Sequence, residues 1–405
     1  MKLVAKCILV GSMFLAGPAL AQEPLRIGVL TDLSGTNADV AGPGSVLAAQ
    51  MAVEDFGGTV AGRPIEVLSG DHQNRADIAA SISRKWVDED GVRAIFDLPI
   101  TPAALAAIEV AKDTNVAVFV SAGASSDLTG KYCTDVSAHW TYDTYALAAG
   151  TARGVYSEEN KKWFFLTADY TFGENLRRDA ARAVEEMGGT VIGEVRHPRE
   201  TSDMSSYLLQ AQASGANVIA LANSSGDTST AVKQAAEFGI IAGGQKVAAL
   251  LAFLTDIDAI GLETAQGMAV TEGFYWDFDD QTRAWSERFT ERHGGNRPTM
   301  AHAGVYSSVL NYLKAVDAIQ GDGGREVMAQ LRTMPIEDMF ARNATLRKDG
   351  RLVHDMYVFE VKSPEESTGR WDYYNLLNVV PADQAYRPLA ESECPLLTDA
   401  DRNGD

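Results

Sequence analysis

Arg26-Ile27-Gly28-Val29-Leu30, followed by Thr31-Asp32-Leu33-Ser34-Gly35, is the stretch whose reading decides the fold. A short apolar run ends in a polar, glycine-containing turn. Val46, Ala49, Val53 and Phe56 then recur at helical spacing until Gly57-Gly58 stops the helix. The same sequence of strand, turn and helix repeats downstream. Pro64–Ser69 reads as a strand, Ala76–Asp88 as a helix, Arg93–Phe96 as a strand, Pro102–Lys112 as a helix and Val116–Val120 as a strand. Such alternation implies a parallel sheet covered by helices on both faces. It restarts after about Tyr142. Trp163–Leu166, Thr190–Val195, Asn217–Leu221 and Lys246–Leu251 are strands, alternating with helices at Glu174–Met187, Ser202–Ala213 and Thr228–Phe238. Two successive units of similar size, with no Pro/Ser-rich linker between them, predict two α/β lobes joined by short ordered crossovers.

Upstream of this pattern, Lys2 and Lys6 precede an apolar run, Cys7–Gly17, too short to span a bilayer. Pro18 breaks the run, and Ala19-Leu20-Ala21 supplies the small residues a signal peptidase requires. Residues 1–21 are expected to be a signal peptide cleaved after Ala21, which places the mature chain in the periplasm. Cys7 lies before the apolar core, the wrong side for a lipid anchor.

The 405 residues are 46% hydrophobic and 22% charged, enough for two cores of about 150–200 residues each. The formal charge of −20 becomes −22 without Lys2 and Lys6. Such a surface repels nucleic acid and anionic lipid, so neither is an expected partner, and its plainest role is solubility. Of the three cysteines, Cys133 and Cys394 remain after the leader. An even pair in an oxidising compartment favours a disulfide, the alternative being two buried thiols. His139, His197, His293 and His302 lack metal-ligand spacing. No nucleophile elbow, phosphate loop or dinucleotide fingerprint is present, so no catalytic residue, metal or cofactor is expected. The tail 399–405 imitates the start of a calcium loop but lacks its closing Glu, and reads as a frayed acidic terminus.

Several segments, in order, resemble the type I periplasmic binding proteins of ABC importers, the leucine/isoleucine/valine-binding family. Arg26–Gly35 resembles the family's opening strand and turn. Ala48–Asp55, Gly57-Gly58 and Ala61–Val67 resemble its first helix and second strand. Val120–Thr129 resembles its carboxylate-binding turn, and Asp169–Asn175 the start of its second lobe. The resemblance implies two doubly wound parallel-sheet lobes joined by three hinge crossovers, with the ligand in the cleft and no catalytic activity. Lobe I would be 24–141 plus 273–361, and lobe II 142–272 plus 362–398. Partners would be a small-molecule ligand and an ABC permease in the inner membrane, with the protein a monomer.

Ligands of open parallel sheets sit beyond the carboxyl ends of the strands. Those ends are Ser34-Gly35, Pro99–Thr101, Ser121–Ser126, Tyr170–Gly173, Asn223–Asp227 and Leu251–Phe253, with Asn223 and Ser224 as polar candidates. Ala122, Gly123 and Ala124 are small enough for backbone amides to approach an anion, and Ser125 adds a hydroxyl. Thr101 precedes a helix opened by Pro102. By resemblance, Thr101, Gly123 and Ser125 stand where the family binds an amino-acid carboxylate. A Gly123→Val change is therefore expected to weaken binding far more than folding. Much of the ammonium half of the family site is missing. The matching region, Ala248–Leu254, carries no charge, and Tyr145 replaces an Asp of the first crossover. Asp143 is the one candidate substitute. Tyr142, Tyr145, Tyr170, Phe172 and Phe253 place rings in or near the cleft loops, for stacking on a ligand or for hinge packing. Trp140 divides evenly between those roles, and Trp371–Tyr374 reads as packing. The expected ligand is an aromatic or short hydroxy- or keto-acid. The alternatives are a branched-chain or other amino acid paired with Asp143, or a sensing module that presents its ligand to a membrane signalling protein.

Overall fold

The computed structural model describes residues 23–403. The signal-peptide reading, with Cys7, lies outside them. Elements are numbered in chain order. Strand β1, Leu25–Thr31, is covered on both faces, which is why its apolar residues run on rather than alternate: Leu25, Ile27, Val29 and Leu30 are all fully buried. Helix α1 (Gly42–Phe56) packs behind it, and a short strand β2 (Thr59–Val60) turns into β3 (Arg63–Asp71). Then follow α2 (Ala76–Asp88), β4 (Val92–Asp97), α3 (Thr101–Thr114), β5 (Ala117–Val120) and β6 (Ser137–His139). The sheet order is β2-β3-β1-β4-β5-β6, parallel except for the β2–β3 pair.

A second parallel sheet, β10-β9-β7-β8, comprises β7 (Lys162–Ala168), β8 (Thr190–His197), β9 (Val218–Ala222) and β10 (Lys246–Ala249). Its helices are α4 (Thr144–Val155), α5 (Thr171–Glu186), α6 (Ser205–Ala213), α7 (Gly226–Glu237), α8 (Leu254–Ile260) and the short α9 (Leu262–Ala265). Strand β11 (Ala269–Glu272) then leads out of this body. Helices α10 (Asp280–Arg292), α11 (Met300–Ile319) and α12 (Gly324–Leu331) return to the first body, α11 packing on α1 and α12 against β5. A hairpin, β12 (Thr345–Leu346) and β13 (Leu352–Val353), joins that side through a bridge from His139 to Arg351.

Segment 356–361, expected in lobe I, belongs with the second body: β14 (Met356–Val361) pairs antiparallel with both β11 and β15 (Tyr374–Val380), in a sheet built otherwise of second-body segments. Phe359 and Val361 pack into the core that also holds Leu166, Ile219 and Leu221. The third crossing therefore falls at His354-Asp355. All three crossings meet at one point. His354 Nε2 lies 2.6 Å from the Thr141 carbonyl, and a Cβ on Gly273 would sit 3.3 Å from His354 and 3.4 Å from that same carbonyl.

The C-terminal segment, expected in lobe II, instead straps both bodies together. Cys394 bonds Cys133 of the first body, with Cα atoms 5.6 Å apart. Arg387 and Glu391 pair with Asp179 and Arg182 of α5 in the second. The tail is not frayed up to Asn403. Asp399–Asn403 is helical, Lys348 holds Asp401 at 2.7 Å, and Arg402 donates to the carbonyls of Ser392, Cys394 and Leu397. Among the described residues no cluster of His, Cys, Asp or Glu could hold a metal, and no helix is long and apolar enough to cross a membrane.

Candidate functional site

The two bodies face each other across a cleft with two connected parts. A narrow inner chamber, about 20 Å³, is lined from the first body by Asn37, Val40, Pro99, Ile100, Thr101, Ala122 and Ala124. Tyr142 comes from the first crossing. Tyr170, Phe172, Ser224, Ser225, Leu251 and Phe253 come from the second body. The outer vestibule shares Asn37, Pro99, Ile100, Tyr170, Ser224 and Ser225 with it and opens to solvent.

The opening stretch of sequence shapes one wall. Asp32, buried at the end of β1, accepts from the amides of Gly35 (2.7 Å) and Asn37 (2.9 Å) and from Asn74 Nδ2 (2.6 Å). These bonds present Asn37 to the opposite body, where Ser225 Oγ donates to its side-chain oxygen at 3.2 Å. Ser225 holds a left-handed φ of 53° immediately before α7, a costly conformation for a residue with a side chain.

On the facing wall α3 begins at Thr101, so the amides of Thr101 and Ala103 have no partner within the helix, while Pro102 between them has no N–H. The Thr101 hydroxyl is buried and makes no hydrogen bond. An unpaired buried hydroxyl and the positive end of a fourteen-residue helix thus face the same space. Tyr142 donates to the Ala122 carbonyl at 2.7 Å, and its ring meets Phe253 edge-on at 6.0 Å. Burial pushes its phenol well above the usual range and that of Tyr170 up to about 12. Both remain neutral donors at any ordinary pH. No carboxylate and no cation lines the inner chamber.

Eight of the residues singled out from sequence meet there: Thr101, Ala122, Ala124, Tyr142, Tyr170, Phe172, Ser224 and Phe253. Five do not, each for a local reason. Gly123 packs against backbone, and a Cβ on it would stand 2.6 Å from the Leu98 carbonyl; a Gly123→Val change would therefore damage the fold, contrary to expectation. Ser125 Oγ is taken up by the amide of Asp127 and by Asn175. Asn223 lies under the loop, bonded to His197 and Thr228. Tyr145 faces a groove between α4 and α5, flanked by Arg182 and Arg387. Asp143 caps α4 through the Ala146 amide (2.8 Å) and stands 3.8 Å from the fully buried Arg351. Its carboxyl is raised by burial against the opposing pull of Arg351, and it does not reach the chamber.

The nearest buried acids of the second body are also committed. Asp256 caps α8 at the Phe253 amide (2.9 Å) and meets Ser229, and burial pushes it up to about 6. Glu272 accepts from Tyr374 at 3.2 Å and is held well above the carboxylate range by burial. Trp140 proves to be packing, its indole bonded to Ser307. So does Trp371, whose carbonyl takes Tyr275 and Trp276. Asn37, Val40 and Arg199 were missed. Asn37 and Val40 lie beyond the end of the turn after β1, and Arg199 lies two residues past β8, a strand end whose polar loop signals it.

The sequence profile described as periplasmic binding protein matches residues 24–369. A periplasmic binding protein of Burkholderia mallei is 45% identical, with 93% of this chain and 99% of that one covered, and superimposes with a TM-score of 0.90. A structure described as a branched chain amino acid ABC transporter periplasmic ligand-binding protein, from Burkholderia xenovorans, is 40% identical over 92% and 99% of the two chains, with a TM-score of 0.83. The Leu/Ile/Val-binding protein homolog 6 of Brucella abortus is 25% identical over 372 residues, covering 89% of this chain and 92% of its own.

Proposed function

Because the chain belongs to the periplasmic binding protein family, ligand-binding proteins of ABC transporters rather than enzymes, we propose that it captures a small carboxylic acid and delivers it to an inner-membrane permease. The observation that carries this reading is the inner chamber itself. It offers an anion the unpaired Thr101 hydroxyl and the start of α3, and it offers an ammonium no counter-charge. An ammonium enclosed there without an anion would cost several kcal/mol, on the order of an unpaired buried charge. The rings of Tyr142, Phe172 and Phe253 favour a flat or apolar body behind the carboxylate. Closure rotates the two bodies about the junction of Thr141, Gly273 and His354.

A second reading, an amino-acid ligand, is favoured by the descriptions of the 40% identical Burkholderia xenovorans protein and of the Brucella abortus relative. Calorimetry separates the two. Matched pairs such as 4-methylpentanoate against leucine, and 3-phenylpropanoate against phenylalanine, differ in the ammonium group. Tighter binding of the plain acids supports the proposal. Tight binding of leucine or valine with no response to the plain acids overturns it in favour of the amino-acid reading.

A further inference from the structure

We infer that the outer vestibule is a second anion subsite, so that the preferred ligand carries two acid groups, and that Arg199 is the residue that selects for the second. This rests on the carboxylate reading of the inner chamber and names the ligand class more narrowly.

Arg199 follows β8 and lines the vestibule together with Ser225 and Gly226, where α7 begins. Its guanidinium lies over the Tyr170 ring, 5.0 Å from the centroid, and Tyr170 lines both the vestibule and the chamber. A side chain stacked in this way is held in place while its donor edge stays free. Arg199 makes no hydrogen bond among the described residues. Its nearest ionic neighbour, Glu200, is 4.0 Å away, with its own side chain 58% exposed, and its charge also acts on Asp227 across the vestibule. The other acid at the site, Asp227, is already occupied: its two oxygens accept the amides of Glu200 (3.2 Å) and Thr201 (2.9 Å). The loop therefore turns its carboxylate inward and leaves a planar, two-pronged cation at the mouth of a chamber whose far wall is built for one carboxylate. A guanidinium in this state matches a second carboxylate by paired N–H···O bonds. A monoacid seated in the chamber leaves it unused.

Calorimetry on the mature protein with matched pairs tests this: hexanoate against adipate, octanoate against suberate, and benzoate against benzene-1,4-dicarboxylate. In at least one pair the diacid should bind about tenfold tighter or better, as expected for a partly desolvated charge pair. Arg199→Gln should abolish that advantage, bringing diacid affinity down to that of the matched monoacid. Arg199→Lys should keep only part of the advantage, since an ammonium cannot form the fork. Diacids no tighter than monoacids in every pair, or an advantage that survives Arg199→Gln, would overturn the inference while monoacid binding dependent on Thr101 leaves the carboxylate reading standing. If neither class of acid binds, both fall together.

Discussion

Replacing Thr101 by valine separates a binding role from a structural one, because the two roles predict opposite signs. Valine keeps the shape of threonine and exchanges the hydroxyl for a methyl group. In the ligand-free protein that hydroxyl is buried without a partner, and Ile100 rather than Thr101 occupies the cap position of α3. Removing an unsatisfied buried polar group is worth about 1–3 kcal/mol. The melting entropy of a chain this long is on the order of 0.8 kcal/mol per kelvin, so the free protein should melt roughly 1–4 °C higher. A hydrogen bond to a carboxylate is worth about 1.5–3 kcal/mol, so the acid should bind roughly 10–150-fold more weakly. Scanning calorimetry of the free protein and titration of the acid read the two effects separately. A melting temperature lowered by several degrees with affinity unchanged would refute the reasoning, since it would mean that the hydroxyl holds the loop and not the ligand.

Three further outcomes follow from other parts of the molecule. Asp143→Asn keeps a good helix cap but removes the opposing charge of buried Arg351; it should lower stability by about 3–5 kcal/mol and leave ligand affinity within about twofold, and a large loss of affinity confined to amino acids would show that Asp143 reaches the ligand after all. Asp97 is fully buried, and burial lifts it to about 7. An acid whose folded pKa is raised costs stability as pH climbs from its unfolded value near 4 to about 7. Asp97→Asn should flatten the fall in melting temperature across that window and gain most at pH 8, whereas an unchanged slope would acquit Asp97. Reducing the disulfide, or Cys394→Ser, opens a loop closed over a separation of 261 residues. The chain-entropy formula sets a ceiling of about 5.6 kcal/mol, and limited proteolysis should cut first within 381–403; a melting curve indifferent to reductant would contradict this.

The helices and strands of both sheets were legible in the sequence because each strand is covered on two faces and bounded by polar turns, as Leu25–Thr31 and Lys162–Ala168 show. The third crossing was not. Met356–Val361 is apolar enough for either body, and its place is fixed by pairing with β11 and β15, partners distant in sequence. The chamber was legible as a set of strand ends, but not in the direction of individual side chains. Gly123, between Ala122 and Ala124, turns away to meet the Leu98 carbonyl. Asp143, next to Tyr142, turns back to cap its own helix. Sequence placed these residues within a few ångströms of the cleft, but local hydrogen bonding decided which of them face it. Asp256 illustrates the same limit: it lies two residues beyond the uncharged Ala248–Leu254 stretch and is consumed by the Phe253 amide.

The bond between Cys133 and Cys394 also sets an order of events during synthesis. A chain threaded across a membrane from its amino end delivers Cys133 while 261 residues of the loop are still to come. Among the described residues that thiol has no other cysteine to pair with until Cys394 arrives. Oxidation is therefore a late event, completed only after both bodies and the strap have been delivered. A chain truncated ahead of Cys394 leaves Cys133 without a partner cysteine among the described residues.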